Sequence, residues 1–590
     1  MLGLICSLAL KLVNNSVNPF WCIVDEVSGG FNKTGIALAS AAFVEKMIRP
    51  NRDQAQTHRP NHTKETADPQ EPLSTLQRQS IIAGIGSLIF LIQTFVTDAG
   101  TIIAWNWTGY PVTGPRLLWQ ASAVIGATAL GLIARWIQDQ AMSPRARPYG
   151  LMSLGATILA CSTLCGHYKA VLQNVSSEWI DWIQFSGGCA LVSLLVYHFP
   201  AFWQELSRYD YDGRLLCHAL GFNAALDVIS VITVAYAFVP GGNLLREKMP
   251  EVVFLTTACL FNAGFVFDKL SSAYRTTFAE ERAQGLRSKR LLVQGTMVLA
   301  GLVLGSEVFC RQRRDAIVIK PHHIETGVWT SGIWTVHFGV DLAGRDSQKR
   351  MLNLIREAEV DVLGLLETDL QRFVYGNRDL TRMISEELGY YVDIGPGPNK
   401  HTWGAVLLSK FPILESTHHL LPSPRGELAP AISAKLLINN QVVNVIVSHN
   451  GQEEDPVDRQ LQTEAIAKIS SSCWPDPFVF LGYVVTRVGA KRPAPYEILM
   501  ADGQLWDVEI ADRDRWCEYI AFRYLWRVAY ARISHGDITD TEMQLAKFVT
   551  LDSALPVDYQ SNEDLYYHTY EKAVPESWQF PQQFRGNGTR

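Results

Sequence analysis

Charged side chains are scarce in this chain: of its 590 residues, 19% are Asp, Glu, Lys or Arg, whereas 47% are hydrophobic. Because soluble domains carry about 25% charged residues, this composition excludes a fully soluble enzyme, and the apolar content excludes a disordered chain. A basic surplus is also missing, since the net charge is −6 at pH 7. The charge balance therefore gives no general reason to expect nucleic-acid binding.

A disulfide framework is missing as well. Most of the ten cysteines lie in or beside apolar runs, where a cysteine usually behaves as a small hydrophobic residue. This distribution excludes a small scaffold held together by disulfides. The cysteines in these runs are Cys161, Cys165, Cys189, Cys217, Cys259 and Cys310.

Long apolar runs, by contrast, are abundant between residues 80 and 310. Each has about 18–22 residues, and a helix of that length crosses a hydrocarbon core of about 30 Å. The sequence therefore predicts a multi-pass α-helical membrane domain over residues 80–310. We expect about seven helices, at 80–97, 117–136, 149–166, 182–199, 218–239, 251–268 and 291–308.

The first 79 residues are harder to interpret. Residues 1–13 are apolar, but Lys11 interrupts them, so they suit the core of a signal peptide as well as a shortened membrane span. Residues 49–79 are polar and rich in Pro, Gln, Thr and Arg, a composition typical of an exposed linker. We therefore treat residues 1–79 as a poorly defined N-terminal region with a linker.

Basic residues in the loops predict how the spans are oriented. The loops at 137–148 and 269–290 are rich in Arg and Lys, whereas those at 98–116 and 167–181 hold one basic residue each. Since basic loops stay in the cytosol, the two poorly charged loops are predicted to be lumenal. A basic cluster at 311–314, directly after the last run, favours the opposite orientation.

Glycosylation sequons support a lumenal position for the same two loops. Asn106 and Asn174 each begin an Asn-x-Ser/Thr sequon, and such sequons are used only on the lumenal side. An odd number of spans then places the C-terminal domain in the lumen, consistent with a third sequon at Asn587. We therefore predict glycosylation at all three asparagines.

The lumenal loop at 98–115 combines aromatic residues with many Gly and Pro residues. The aromatics are explained either by an anchor at headgroup level or by a shaped lipid-headgroup site. In the second case Asp98 and Trp105 are substrate-binding candidates. Within the run at 218–239, Asp227 and Asn223 share a helix face, which fits interhelical hydrogen bonding or a catalytic role.

Residues 325–590 have a different character. Short β-rich runs at 333–338, 362–366, 405–409, 442–448 and 478–481 alternate with helical stretches at 346–359, 377–388 and 456–471. This alternation predicts an α/β or α+β domain with stacked sheets. We place the domain at 325–550 and treat 551–590 as a C-terminal tail.

Several local patterns follow one another in this domain in an informative order. A buried run ends at Glu367, a second ends at His449 and Asn450, and a third ends in Gly482-Tyr483-Val484-Val485. The last pattern contains Arg532 and His535. In this order they resemble the endonuclease/exonuclease/phosphatase superfamily, whose deoxyribonuclease-I-like fold packs two β-sheets face to face and places its site at the strand ends.

Phosphodiester cleavage explains why such residue types would gather. It needs a base, an acid and positive charge near the phosphoryl oxygens. We predict that His449 and His535 share the acid and base roles, and that Glu367 is a catalytic carboxylate and a weak Mg²⁺ ligand. Arg532 is predicted to orient the phosphate. Further substrate-binding candidates are Arg425, Asn450 and Tyr483.

The sequence also departs from the superfamily pattern. Where the superfamily has Gly-Asp-x-Asn, Tyr483 and Val485 replace the Asp and the Asn. Thr335 stands at an early metal-binding Asn, and Ser534 replaces the Asp before the last His, which Asp537 or Asp540 could orient instead. These departures therefore argue against an ordinary Mg²⁺-dependent nuclease. Either the domain is a binding module, or its chemistry depends on histidines with a weakly bound metal or none.

Two sections carry a more specific resemblance. Residues 97–115 form one, and LGYVVT at 481–486, with 514–519 and 530–535, forms the other. Over residues 80–550 the chain resembles the family of the fungal calcofluor-white-hypersensitive membrane protein and its animal counterpart, PGAP2-interacting protein. Members begin with additional membrane spans, which residues 1–79 do not display, so we expect the chain to lack that part.

The resemblance implies a role in glycosylphosphatidylinositol (GPI) anchor remodelling in the endoplasmic reticulum membrane. Fungal members exchange the diacylglycerol-type lipid of GPI-anchored proteins for ceramide and thereby serve the cell wall. We expect the lumenal domain to act on the inositol phosphodiester, with GPI-anchored proteins and ceramide as substrates and other remodelling proteins as partners. The alternative is a non-catalytic module that recognises the GPI headgroup and presents it to another enzyme.

Overall fold

A computed structural model describes residues 1–22, 24–25, 30–48, 73–97, 119–141, 177–209, 213–273, 285–368, 376–395, 404–550 and 575–584. Several features predicted above lie outside these residues. They are the span at 149–166, the substrate-binding candidates Asp98 and Trp105, and the sequons at Asn106, Asn174 and Asn587.

The first half of the chain is helical. Its helices are α1 (Leu2–Val13), α2 (Lys33–Ile48), α3 (Thr75–Phe95), α4 (Trp119–Ala141), α5 (Ser177–Tyr209), α6 (Arg214–Ile232), α7 (Met249–Ala273) and α8 (Gly285–Ala316). Within the described residues, six helices are long and apolar enough to cross a membrane: Thr75–Phe95, Trp119–Gln138, Phe185–Trp203, Arg214–Ile232, Met249–Leu270 and Val293–Ala316. These six confirm six of the predicted spans.

One predicted span is shorter than its apolar run. The run at 218–239 is helical only as far as Ile232, and two short 3-10 helices follow at Tyr236–Phe238 and Gly242–Leu245. Gly241 lies between them with a φ of +76°, a conformation that residues with a Cβ rarely adopt. The sequence Pro240-Gly241-Gly242 therefore ends the span as a turn, which apolar content alone does not reveal.

Small residues bring the membrane helices into close contact. A Cβ on Gly131 of α4 would lie 2.0 Å from the carbonyl oxygen of Ser193 in α5. A Cβ on Gly84 of α3 would lie 2.1 Å from the Cβ of Ala263 in α7. Small residues let helix backbones approach where lipid offers no hydrophobic driving force between helices. Asp227, a candidate for either packing or chemistry, accepts a hydrogen bond of 3.1 Å from Asn223 in its own helix.

The second half is built of two six-stranded sheets. Its strands are β1 (Val328–Thr335), β2 (Val362–Leu366), β3 (Tyr391–Ile394), β4 (Val406–Ser409), β5 (Ile413–Leu421), β6 (Ala429–Ile438), β7 (Gln441–His449), β8 (Phe478–Tyr483), β9 (Trp506–Asp507), β10 (Glu518–Arg523), β11 (Leu525–Ile533) and β12 (Met543–Thr550). The first sheet has the order β11-β12-β1-β2-β4-β3 and the second β5-β6-β7-β8-β10-β9.

The centre of each sheet is a parallel pair, β1 with β2 and β7 with β8, whereas the remaining neighbours are antiparallel. Strands buried on both faces read as continuous apolar runs, and for that reason the predicted runs at 362–366 and 478–481 fall inside β2 and β8. The two sheets enclose a core that includes Trp329, Ile333, Leu366, Val447 and Leu481. Helices cover the outer face of each sheet. The first sheet is covered by α9 (Gln348–Glu357) and α10 (Leu380–Leu388), and the second is covered by α11 (Pro456–Ser472).

One predicted strand ends earlier than expected. The run at 333–338 was predicted as a strand, but β1 ends at Thr335. His337 and Phe338 have φ angles of +42° and +57°, which lie in the left-handed region. An extended strand cannot continue through that conformation, and nothing in these two residue types reveals it.

The domain contacts one end of the helical bundle. At the end of α1, the Leu12 carbonyl accepts a hydrogen bond of 2.7 Å from Arg382 of α10. At the end of α3, the Gln93 carbonyl accepts one of 3.0 Å from Asn377. Between α6 and α7, Arg246 donates to the Gly426 carbonyl at 3.1 Å. The domain therefore lies on the side of the bundle where α1, α3 and α6 end.

Gly131→Ala tests the packing of α4 on α5. The added methyl group would collide with the Ser193 backbone, and we expect a loss of about 1–3 kcal/mol, as is usual for overpacking. Gly301→Ala in α8 is the matched control, because no atom lies within 4 Å of a Cβ at that position. Both variants are heated in detergent, and the fraction that stays monodisperse is measured by size-exclusion chromatography. Equal melting midpoints for the two variants would show that the α4–α5 contact is wrong.

Candidate active site

Four strand ends meet at one edge of the sandwich. Glu367 follows β2 in the first sheet, and His449 ends β7 in the second. Thr335 ends β1, and Tyr483 ends β8. Because β1 and β2 are parallel, and β7 and β8 likewise, each sheet brings two polar side chains to the same edge. The sandwich therefore brings together side chains that are far apart in the sequence, such as Glu367 and His449, which are 82 positions apart.

Glu367 and His449 form a buried pair across the two sheets. His449 Nε2 lies 3.2 Å from Glu367 Oε1, and the two side chains are 4% and 11% exposed. His449 Nδ1 lies 3.0 Å from the carbonyl oxygen of Asn450. A carbonyl only accepts, so Nδ1 carries a hydrogen, and the contact at Nε2 requires a further proton on the ring or on the carboxyl group. The pair thus shares one proton.

Tyr483 occupies the position where the superfamily has its nucleophile-activating Asp. Its ring stacks on His449 with a centroid distance of 4.8 Å, and its hydroxyl donates to Gln452 Oε1 at 3.3 Å. Burial, followed by neighbouring acidic groups that include Glu367, raises the pKa of Tyr483 well above its usual value. The side chain is therefore a neutral wall of the site.

Glu518 is a fully buried carboxyl group beneath the pair, at the start of β10. Its Oε1 accepts hydrogen bonds from the Thr335 amide at 2.6 Å and from Thr335 Oγ1 at 2.5 Å. Burial raises the pKa of Glu518 to about 8, although the two bonds from Thr335 oppose that shift. At pH 7 the group is therefore mainly protonated. Glu518 was not among the predicted site residues, yet an acid that opens a buried apolar strand was a usable signal.

His337 and Asp540 form a second histidine–carboxylate pair that sequence reasoning missed. His337 Nε2 lies 3.9 Å from Asp540 Oδ2. Loss of water contact raises the pKa of Asp540; the charge of His337 opposes this shift and that of Glu367 adds to it. Asp540 was considered as a group that orients His535, but it lies beside His337 instead. No local sequence pattern predicts a contact between two residues that are 203 positions apart.

Strained backbone is concentrated at these strand ends. His337, Phe338, Glu367 and Val485 have φ angles of +42°, +57°, +57° and +42°. Each such residue costs about 1–3 kcal/mol, and such residues persist where the surroundings hold them, often at functional sites. The Phe338 amide donates to the Glu367 carbonyl at 2.8 Å, and Arg459 donates to the Val485 carbonyl. Hydrogen bonds thus hold this strained edge in place.

The other predicted site residues lie in different surroundings. Arg532 pairs with Asp512 at 3.2 Å and with Glu542 at 3.1 Å. His535 Nδ1 lies 2.9 Å from the carbonyl oxygen of Gly536 in its own turn. The structure therefore unites Glu367 with His449, whereas Arg532 pairs with other carboxylates and His535 bonds within its own turn.

Asn450 and Arg425 lie on the second sheet's side of the site. Asn450 is buried, donates to Thr463 Oγ1 at 3.2 Å, and its amide donates to the Tyr483 carbonyl at 2.9 Å. Arg425 is exposed, and its amide donates to Asp458 at 3.1 Å. Asn450 thus ties the end of β7 to the end of β8, and Arg425 leaves its guanidinium directed to the surface.

The residues present do not fit a magnesium site. Mg²⁺ prefers octahedral oxygen ligands, but the Glu367 carboxylate contacts His449, and the Thr335 hydroxyl contacts Glu518. Tyr483 and Val485 stand where the superfamily supplies an Asp and an Asn. Among the described residues, no group of three or more His, Cys, Asp and Glu side chains could hold a metal ion. We therefore derive no step through a metal.

The membrane half contributes to the surroundings of this site. Tyr236 and Arg246, in the turn between α6 and α7, both donate to the Gly426 carbonyl. The next residue, Glu427, borders a small cavity whose walls also include His449 and Asn450. Burial raises the pKa of Glu427, and a hydrogen bond from the Ala237 backbone opposes the shift. The turn at 236–246 therefore packs directly behind the wall of the site.

Three family models match the chain. The PGAP2IP C-terminal nuclease-like domain matches residues 326–578, and the PGAP2IP second transmembrane domain matches residues 74–273. The PGAP2IP first transmembrane domain matches residues 1–45, where sequence reasoning saw no additional spans. Protein cwh43 of Schizosaccharomyces pombe is 34% identical to this chain over 602 residues. The match covers 100% of this chain and 57% of that protein. The chain thus spans little more than half the length of this curated relative.

Similar solved structures each cover 38% of this chain. A humanized D. rerio TDP2 has 15% identity and a TM-score of 0.31 over 100% of that chain. An endonuclease/exonuclease/phosphatase from Bacteroides vulgatus has 15% identity and 0.30 over 99%. A mannosyl-6-phosphatase from Bacteroides thetaiotaomicron has 11% identity and 0.30 over 99%. The sheet order and the family match, rather than these low scores, identify the deoxyribonuclease-I-like fold that was predicted.

Glu518→Gln tests the buried carboxyl group. A folded-state pKa raised from 4.5 to about 8 means that the folded protein binds the proton more tightly, so stability falls as the pH rises from about 4.5 to 8. The variant keeps an acceptor for Thr335 but does not titrate. We expect its melting midpoint to fall less between pH 6 and pH 8, by an amount worth about 1 kcal/mol per pH unit.

The control is Glu415→Gln, which alters an exposed carboxylate whose side chain is 68% exposed. This variant should reproduce the pH profile of the wild-type protein. If Glu518→Gln also reproduced that profile, Glu518 would have an ordinary pKa.

Proposed function

The chain belongs to the family of PGAP2-interacting protein, and on that premise we propose that it exchanges the lipid of GPI anchors by acting on their inositol phosphodiester. Membership makes it a membrane protein of a GPI-anchor-related family. The observation that carries the proposal is the Glu367–His449 pair, at the edge of a phosphoesterase fold whose wall packs against the membrane domain. Ceramide is the proposed incoming lipid, and GPI-anchored proteins are the proposed substrates.

The proposed exchange needs two proton transfers. The ceramide hydroxyl attacks the phosphorus, its proton passes to a base, and the diacylglycerol oxygen leaves with a proton from an acid. The Glu367–His449 pair suits one of these transfers because it holds one shared proton and is shielded from water. The sequence pattern predicts His535 for the other transfer, and Arg532 and Arg425 for binding the phosphate.

The contact between the two halves supports a lipid substrate. The phosphodiester of a membrane-embedded GPI lies at headgroup level, while its tails stay in the bilayer. The turn at 236–246 links the end of a predicted span to the Gly426 carbonyl beside the site. An active site at this level could reach the phosphate without extracting the lipid. Tyr483 and Val485 in place of the usual Asp and Asn remove two groups that a nuclease needs.

We further propose an endoplasmic reticulum location with the domain in the lumen. Thr97, whose backbone carbonyl accepts from Lys11 at 2.9 Å, contacts Asn377 of the domain. In the sequence, the loop with the Asn106 sequon begins at the next residue. Use of that sequon would therefore put the domain on the glycosylated side.

His449→Ala and Glu367→Gln test the catalytic assignment. Each variant, and the unaltered chain, is expressed in a strain that lacks its own family member, and the released anchors are analysed by lipid mass spectrometry. We expect ceramide-type anchors to fall about 100-fold or more, the usual loss for a proton-transfer group. His419→Ala is the control, since His419 lies on the edge strand β5 and its ring bonds to Ser433 of β6, and it should match the unaltered chain.

Two results would contradict this assignment. If His449→Ala and Glu367→Gln gave the same anchors as the unaltered chain, the domain would be a recognition module and not a catalyst. If the unaltered chain produced no ceramide-type anchors while it was present and folded, this chain would not carry out the exchange by itself.

Glu415→Asn tests the lumenal orientation, because it creates a new sequon with Ser416 and Thr417 on the exposed edge strand β5. We expect the variant to gain one glycan, seen as a gel shift of about 2–3 kDa that an N-glycosidase removes. Glu415→Gln, which creates no sequon, should not shift. Absence of the shift in a folded, membrane-inserted variant would place the domain in the cytosol.

A further inference from the structure

A second histidine, His337, directly precedes a residue that hydrogen-bonds to Glu367. The Glu367 carboxylate contacts His449 Nε2 at 3.2 Å, and its backbone carbonyl accepts from the Phe338 amide at 2.8 Å. Phe338 directly follows His337, whose Nε2 lies 3.9 Å from Asp540 Oδ2. Glu367 therefore connects the two histidines, one through its side chain and the other through its backbone.

The hydrogen bonds of His337 define which nitrogen can react. Its Nδ1 lies 3.2 Å from the carbonyl oxygen of Val340, and because that oxygen only accepts, Nδ1 carries the hydrogen. In the neutral ring, Nε2 then has a free lone pair. The Asp540 carboxylate next to it stabilises the ring once it takes up a second proton. This arrangement suits a base that takes up a proton during the reaction and releases it again afterwards.

Exposure distinguishes the two histidines. The side chain of His337 is 31% exposed, whereas that of His449 is 4% exposed. In an extended strand, residue 337 would share a face with Thr335, whose hydroxyl contacts the buried Glu518. The left-handed turn at 337–338 instead brings the imidazole to the surface of the site. An incoming hydroxyl group can reach it there.

We propose that His337 is the base that accepts the proton of the incoming ceramide hydroxyl, with Asp540 stabilising its imidazolium form. The inference rests on the proposed function. A bond forms between the ceramide oxygen and phosphorus, and the bond between phosphorus and the diacylglycerol oxygen breaks. The hydroxyl proton goes to His337 Nε2, and the proton shared by Glu367 and His449 goes to the diacylglycerol oxygen. One proton then returns from His337 to the Glu367–His449 pair, which restores both groups for the next exchange.

This assignment gives His337 the role that the sequence pattern suggested for His535 or His449. His535 bonds to Gly536 within its own turn, and Asp540, which could have oriented His535, lies beside His337. His449 already holds a shared proton, so it is better suited to donate than to accept.

The test compares His337→Asn with His535→Asn in the full chain. Asn tolerates the left-handed conformation at position 337 and can donate a hydrogen bond, but it cannot act as a base. The purified protein is placed in vesicles that contain a GPI-phosphatidylinositol and ceramide, and the release of diacylglycerol and the ceramide-type product are measured. We expect His337→Asn to lose about 100-fold or more, a larger loss than in His535→Asn, and we expect the control His419→Asn on strand β5 to keep the wild-type rate.

Asp540→Asn provides an independent test should His337→Asn fail to fold. The variant removes the carboxylate that stabilises the protonated ring of His337, so we expect a smaller loss, of roughly tenfold. The melting midpoint of each variant shows whether it is folded. Asp537→Asn, a few residues earlier in the same loop, is the matched control and should keep the wild-type rate.

The outcomes separate this inference from the proposed function. A wild-type rate in His337→Asn, or an equal or larger loss in His535→Asn, overturns the role of His337. If Glu367→Gln is inactive in the same assay, the proposed function survives that result. If Glu367→Gln also keeps the wild-type rate, the proposed function fails, and the inference fails with it.

Discussion

The contact between Glu367 and His449 is the constraint on which the site depends. One residue follows the central strand of the first sheet, and the other ends the central strand of the second, so the pair forms only when both sheets are correctly stacked. Burial makes an unpaired carboxylate costly at this position, because it would lose its hydration without compensation. Burial therefore favours the arrangement in which Glu367 and His449 are paired. The ring of Tyr483 and the protonated Glu518 complete an environment in which few free charges compete with the pair.

The same edge of the sandwich explains why the superfamily's metal chemistry does not fit. Oxygen ligands are replaced by an aromatic ring and an aliphatic side chain, and the remaining carboxyl groups are engaged with histidine or threonine. Two histidine–carboxylate pairs and several left-handed backbone positions stand in their place. The fold thus keeps the positions of the strand ends and changes the chemistry that they present, which is the usual way in which one fold serves different functions.

The sequence predicted the parts that follow from local patterns. Uniform apolar runs revealed the membrane helices and the central strands, and Glu367 and His449 could be found because each directly follows such a run. His337 and Asp540 could not be found in this way, since their contact depends on a left-handed turn that neither His nor Phe signals. The partners of Arg532 were likewise hidden, because Asp512 lies in the long connection between β9 and β10. The end of α6 was missed because its apolar residues continue into the turn that follows.

The turn between α6 and α7 has a consequence for how this protein can be studied. It belongs to the membrane-embedded half, yet it hydrogen-bonds to the segment that lines the cavity beside His449. A truncated, water-soluble version that starts near residue 325 would leave the Gly426 carbonyl and the Glu427 side chain without these neighbours. Screening for inhibitors or substrates with such a fragment would therefore examine an altered pocket. The full chain, with both halves reconstituted in a bilayer, is therefore the appropriate material for such screens.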